Sequence, residues 1–345
     1  MARMGPYGEK AHAARSGEDT LGTTDEEGLS KLLLSLYRAA RELPLDEFQG
    51  AALDLIQPCL KFDSCRWGES SFVPNALDTH HVHLYREPPD IVGAYEAVKD
   101  QDSIVFGIFK RGGGTFRYNT AIEYQGRDKL GIREYARRFR HANTIISAAF
   151  SADAGLWRWA ALYRKKSDHQ YTEEERRRGA SLFPHLLEAL TINRMAHLEH
   201  LYAGSARRRY RLAIADTRGV LYESEPGFVD LLSRETADAQ HCKLPEAMFR
   251  ELQTQEAFIG RQIVVSATIH ADLVFLRARP RVTADSLSPR EIQVARQVVQ
   301  GSSFKEIARI LKLAPGTARN HIQAIHEKLQ VSNKAGVIAQ LQLLE

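Results

Sequence analysis

The chain has 345 residues, of which 43% are apolar and 26% charged, with a formal net charge of +4. That length suggests two or three domains, and the composition is close to a soluble globular average. The mild positive balance permits a nucleic-acid partner without demanding one, and no run of about 18 apolar residues is present, which excludes a transmembrane helix.

Residues 1–28 are polar and Gly-rich and lack the apolar core of a signal peptide, so they read as a disordered tail. The three cysteines, Cys59, Cys65 and Cys242, are sparse and odd in number, which fits a reducing cytoplasm. A redox switch between Cys59 and Cys65 is weaker as a reading than ordinary buried thiols.

A first block spans residues 29–203. It opens with Leu29, Leu32, Leu33, Leu36 and Tyr37 at helical spacing, interrupted by Pro44, and a second helix is expected from Leu45 to Leu60. Strands are expected over Cys65–Phe72, Thr79–Tyr85, Thr115–Ala121, Thr144–Ser151 and Leu156–Tyr163, with helices near Asp90–Val98 and Lys129–Arg140. A long helix with an acidic start, Thr172 to His200, closes the block. Strands flanked by helices in this order describe an α+β domain of sensor type around an antiparallel sheet.

A second block spans residues 205–279. Its expected elements are the strand Arg211–Ala215, the turn Asp216-Thr217-Arg218-Gly219, the strand Val220–Ser224, a helix near Gly227–Ser233, and the strands Gln262–Ile269 and Leu273–Arg277. The basic run Arg207-Arg208-Arg209 lies near its start. Residues 280–286 read as an extended linker, because Pro280 lacks an amide donor.

The third block, residues 287–345, is all-α. Ser288-Pro289-Arg290-Glu291 combines a capping serine, a first-turn proline and a glutamate three residues on. Gly301 ends that helix, and Ser303 with Glu306 starts the next. Lys312-Leu313 forms a tight turn, after which Ala318, Ile322, Ile325 and Leu329 line one face of a third helix. Ser332 or Asn333 caps a fourth. Two short helices across a tight turn, the second amphipathic and basic, make the helix-turn-helix plan. Arg319, Asn320 and Gln323 then face outward with Gly316, and their side chains suit guanine and adenine edges. The block carries eight Lys and Arg against four Asp and Glu, and Arg279 and Arg281 flank it, a bias that phosphate attraction explains. A packing domain with a solvated basic face is the alternative on spacing alone.

Leu287-Ser-Pro-Arg-Glu291, Gly301, Lys305-Glu-Ile-Ala308, Thr317, Arg319, His321, Lys328-Leu329 and Val331-Ser-Asn-Lys334 resemble the LuxR-type DNA-binding domain in order and spacing. The resemblance implies base readout by Arg319, Asn320 and Gln323, DNA-backbone contact by Lys305, Thr317 and Lys328, and a structural role for Glu291. Three residues depart from the family pattern. Ala314 replaces the usual serine cap of the recognition helix, Ala318 a common valine, and Phe304 the usual asparagine, which leaves an apolar side chain to face a partner domain. The first block resembles GAF-like sensor domains, through Tyr163-Arg164, Tyr171-Thr-Glu-Glu-Glu175 and Leu182 to Leu190. The second resembles a degenerate PAS-like fold, through Ala215 to Val220 and its final strands.

Trp157, Trp159 and Tyr163 share one strand face and form a candidate ligand pocket or plain core. His80, His81 and His83 lack a carboxylate or Cys to complete a metal set at local spacing, so no metal is expected. Lys110 to Thr115 lacks the second element of a phosphate loop and reads as a flexible loop. No nucleophile–base set stands out, so no enzyme and no cofactor are expected. The expected chain is a cytoplasmic, homodimeric regulator of transcription. Its partners would be promoter DNA, RNA polymerase and an unidentified small-molecule effector, with no membrane. The alternative is an adaptor whose last block binds protein. A phosphorylation-controlled receiver is disfavoured, because no acidic pair follows the first strand. The Trp, Tyr and Asp-Pro signature of acyl-homoserine-lactone receptors does not appear at its expected spacing.

Overall fold

A computed structural model describes residues 19–73, 76–152, 154–202, 209–236, 243–255, 257–270 and 272–344. Residues 1–18 of the expected tail, Arg207, Arg208 and Cys242 lie outside the described residues. The chain divides into two compact units, Met1–His197 and Leu198–Glu345. Among the described residues no helix is long and apolar enough to cross a membrane.

The first unit begins with α1 (Asp19–Glu42) and α2 (Leu45–Ile56). Residues 19–28 fall within this helix, where a tail was expected; no proline interrupts them. Leu32, Leu36 and Ala40, four residues apart, form the buried stripe of α1. Then follow β1 (Ser64–Val73), β2 (Ala76–Tyr85), α3 (Ile91–Glu96), α4 (Ser103–Lys110), β3 (Gly114–Asn119), α5 (Thr120–Glu123), α6 (Leu130–Arg138), β4 (Asn143–Ser151), β5 (Leu156–Arg164) and α7 (Glu173–Leu201). The strands pair antiparallel in the order β2-β1-β5-β4-β3. The expected strand over Thr115–Ala121 stops at Asn119, whose side chain accepts from the Ala121 amide and starts α5.

Both faces of this sheet are covered. Cys65, Trp67, Ile145, Ala160 and Leu162 pack with α1, α2 and α7, while Ile146, Ala148, Trp159, Ala161 and Tyr163 pack with α3, α4 and α6. Alternation along each strand sends neighbours to opposite cores, so β4 and β5 read as continuous apolar runs. Cys65 sits in the first core with Cys59 packed against it, and burial pushes the Cys65 thiol well above its ordinary range. The turn Arg111–Gly114 joins α4 to β3. Gly113 has φ of +92°, and a Cβ there would meet the Ala148 carbonyl oxygen at 2.6 Å.

In the second unit, β6 (Arg211–Asp216), β7 (Leu221–Ser224), α8 (Phe228–Glu235), α9 (Glu246–Gln255), β8 (Ala257–Ile259), β9 (Ile263–His270) and β10 (Leu273–Pro280) build a second antiparallel sheet, order β7-β6-β10-β9-β8. The helix α9 and strand β8 fall in a stretch for which no element was expected. The hairpin turn is as expected: Asp216 Oδ1 accepts from the Arg218 and Val220 amides, and Gly219 has φ of +80°. A 3-10 turn, Thr283–Ser286, leads to α10 (Pro289–Gln300), α11 (Phe304–Ile310), α12 (Pro315–Leu329) and α13 (Lys334–Leu341) around a separate apolar core.

The expected linker 280–286 is ordered. Arg279, at the end of β10, makes a two-pronged ion pair with Asp285, at 2.7 and 2.6 Å, with both side chains buried. The same carboxylate accepts from the Val282 amide. Arg279 thus spends its charge inside the protein, and Arg281 donates to the Gly260 carbonyl. The Arg279 half of the expected basic flank is a structural joint, whereas Arg281 stays exposed. A local count of charges cannot foresee it, because Asp285 lies within the same stretch.

Candidate nucleic-acid interface and ligand cavity

The C-terminal helices are bounded by the local chemistry expected of them. Ser288 Oγ accepts from the Glu291 amide, and Glu291 Oε2 accepts from the Ser288 amide at 2.7 Å, a reciprocal capping box behind Pro289. Ser303 and Glu306 repeat it at α11. Gly301 has φ of +93° and ends α10. Asn333, rather than Ser332, caps α13 through the Gly336 amide. At the start of α12, Ala314 supplies no side-chain bond, and Pro315 alone pre-sets the first turn.

Packing divides α12 into two faces. Ala318, Ile325 and Leu329 are buried, whereas Arg319, Asn320 and Gln323 are exposed together with Gly316 and Thr317. Positions 319, 320 and 323 fall on one side of a helix. Gln323 donates to Glu327 at 2.9 Å. Lys305 is exposed on α11. Lys328 is 43% exposed, and its ammonium meets Glu291 at 2.7 Å. Burial pushes the Glu291 carboxyl up, but Lys328 and the Ser288 amide outweigh it and hold the group below its usual range. Glu291 is therefore the tie between α10 and α12.

Phe304 makes a contact inside its own domain. Its ring is half-buried and carries the Arg319 guanidinium 4.7 Å from its centre. An apolar residue at this position provides a platform because α11 and α12 cross closely there.

In the first unit, Trp159 and Tyr163 line a cavity of about 50 Å³, room for a few waters or a small ligand. Trp157 shares their strand face but lies beyond the cavity, tilted against Phe109 at 4.7 Å and Phe150 at 5.4 Å. The cavity wall also holds residues that the strand pattern alone did not single out. Arg66, 9% exposed, donates to the Tyr163 hydroxyl from Nε (2.9 Å) and Nη2 (2.7 Å). Its guanidinium lies 4.6, 5.7 and 5.4 Å from the ring centres of Tyr95, Tyr135 and Tyr163. Asp102 caps α4 through the Ile104 and Val105 amides and accepts from the Tyr124 and Tyr95 hydroxyls at 2.9 Å each. Burial first, and the Asp102 charge second, push both of those phenols well above their ordinary range. His141 stacks on Tyr163 with ring centres 3.6 Å apart and pairs with Glu87 at 2.7 Å.

One signal for these residues was present: Arg66 interrupts an apolar strand between Cys65 and Trp67, so it must point into the opposite core. The other, an Asp before the apolar run 103–109, marks a helix start. Of the three histidines, His80 bonds Ser71 at 2.9 Å, and His81 lies 3.5 Å from Glu69. His83 is largely buried, and burial lowers its pKa to about 4.

Residues 285–340 match the family model described as bacterial regulatory proteins, luxR family. The probable transcriptional regulatory protein NarL of Mycobacterium tuberculosis H37Rv is 35% identical over 81 residues, 24% of this chain and 38% of NarL. The transcriptional regulatory protein DesR of Bacillus subtilis is 44% identical over 55 residues, 16% of this chain and 28% of DesR. The chain thus spans well under half the length of these relatives. Among solved structures, it is similar to the N-acylhomoserine lactone dependent LuxR family transcription factor CepR2 from Burkholderia cenocepacia. That likeness has 16% identity and a TM-score of 0.38, covering 47% of this chain and 92% of CepR2.

Proposed function

From the premise that residues 285–340 form a LuxR-family helix-turn-helix domain, we propose that this chain is a sequence-specific DNA-binding regulator of transcription. The observation that carries the reading is the exposed triad Arg319, Asn320 and Gln323 on one side of α12, opposite the buried Ala318, Ile325 and Leu329. Arg319 suits a guanine edge, and Asn320 and Gln323 suit adenine. Lys305, Thr317 and the half-exposed Lys328 supply backbone contacts that set the register on the duplex. The active form is a homodimer reading paired half-sites in the cytoplasm.

The first unit is the sensor, and a small molecule in the cavity beside Trp159 and Tyr163 is the signal. A partly open, mostly apolar cavity with a few convergent polar groups supports this assignment. Binding there alters how the two C-terminal domains of the dimer are spaced.

Footprinting of the full chain on its own gene's upstream region tests the reading. Salt-sensitive protection, lost in Arg319→Ala with Asn320→Ala, is the expected result. A chain that protects no candidate promoter, or a double variant that binds as well as the parent, would favour a protein-binding adaptor instead.

A further inference from the structure

We propose that the cavity of the first unit takes a small organic carboxylate with an apolar body, its anionic end held by Arg66 and the Tyr135 hydroxyl. The proposal rests on the small-molecule reading above and narrows its ligand class.

Arg66 is a buried cation without a carboxylate. Among the described residues its hydrogen bonds go to the Tyr163 hydroxyl, and three tyrosine rings surround the rest of it. Elsewhere the protein treats such a group differently. Arg194, 2% exposed, pairs with Glu69 at 2.6 Å, and Arg279 pairs with Asp285 at 2.7 and 2.6 Å. A buried charge left without a counter-charge is costly. Ring faces and one hydroxyl offset only part of that cost.

The two carboxylates nearest the cavity are committed. Both Asp102 oxygens are engaged, by two backbone amides and two tyrosine hydroxyls. Glu87 accepts from Ser64 at 2.5 Å and meets His141 at 2.7 Å. Neither carboxylate bonds Arg66, which leaves its guanidinium able to take an entering anion.

A second, independent observation marks the place. Tyr135 is 6% exposed, lines the same cavity, and its hydroxyl has no hydrogen-bond partner. A buried hydroxyl normally finds one. The Arg66 guanidinium lies 5.7 Å from the Tyr135 ring centre, which puts the two groups on the same part of the wall. A guanidinium fork matches a carboxylate's two oxygens. Most of the remaining wall, including Ile104, Ile132 and Trp159, is apolar and calls for a short hydrocarbon body. A bare inorganic anion would leave that wall unfilled.

The test uses the full chain and four probes small enough for the cavity: acetate and propionate, with acetamide and propionamide as neutral partners of the same shape. Binding is read by calorimetry and tryptophan fluorescence at pH 7. Each acid should bind at least about tenfold more tightly than its amide, the scale of a charged hydrogen bond. Arg66→Gln should erase that preference. Tyr135→Phe removes only an oxygen that bonds nothing, so it should fold as the parent does and weaken the acids several-fold while leaving the amides unchanged. Acids and amides binding alike, or a preference that survives both variants, would overturn the anion and leave a small-molecule cavity standing. Failure of all four probes to bind would overturn the small-molecule reading as well.

Discussion

The Arg319 guanidinium rests over the Phe304 ring, 4.7 Å from its centre, so a side chain of α11 holds in place a side chain exposed on α12. Arginine carries high rotamer entropy, and DNA binding must immobilise it. A ring that already limits its freedom lowers that cost before the duplex arrives.

Phe304→Ala should therefore weaken DNA binding by about 2–5-fold, the scale of an exposed cation–π contact. Phe304→Tyr should retain binding. Fluorescence anisotropy on one promoter fragment separates the two, and an alanine variant as tight as the parent would remove the platform role.

Ala314→Ser should stabilise the C-terminal domain by about 0.5–2 kcal/mol, because a serine hydroxyl there can accept from an orphan amide in the first turn of α12. Hydrogen exchange on the full chain is the sharpest readout. Protection of the Gly316 and Thr317 amides should rise, with no change at Glu291 or Glu306. Unchanged protection would mean that the serine hydroxyl does not reach these amides.

The tie between Glu291 and Lys328 predicts a pH dependence of known sign. The folded carboxyl titrates below the unfolded value of about 4.3, so its contribution is present above that value and disappears as pH falls through the folded pKa. Because Lys328 is 43% exposed, solvent screens the pair, and the capping bond supplies much of the effect. Glu291→Gln should cost about 1 kcal/mol at pH 7 and progressively less below pH about 4. Urea titrations of both proteins across acid pH measure this. A loss that grows toward low pH would contradict it.

Asp285→Ala leaves the buried Arg279 guanidinium without its counter-charge and should destabilise the second unit by about 3–5 kcal/mol. Adding Arg279→Met in the same chain should recover a large part of that loss, since a buried pair replaced by apolar groups is often neutral. A double variant no more stable than the single one would show that the pair does more than satisfy its own charges.

Much of the C-terminal domain was legible because its determinants are local. Ser288 with Glu291, Ser303 with Glu306, Gly301 and the apolar period of α12 act within one or two turns of the chain. The failures also have physical causes. Residues 19–28 looked polar enough for a tail, yet polarity does not prevent a helix where no proline breaks it. Helix α4 was missed because Ser103-Ile-Val-Phe-Gly-Ile-Phe is a short apolar run, ambiguous between strand and helix. The contact of Phe304 with Arg319 was not legible, since sequence does not show that Arg319 crosses above it.

The sequence by itself determined the helix-turn-helix domain, its outward-facing Arg319, Asn320 and Gln323, and its uncapped start at Ala314. Each depends on residues within a few positions of one another, where propensity and capping decide. Only the tertiary structure decided the cavity. Arg66 on β1, Tyr95 on α3, Tyr135 on α6 and Tyr163 on β5 meet because β1 pairs with β5 and two helices cover that face. No periodicity along the chain encodes a meeting of side chains nearly a hundred residues apart. It follows from strand order and from which core each strand face must enter.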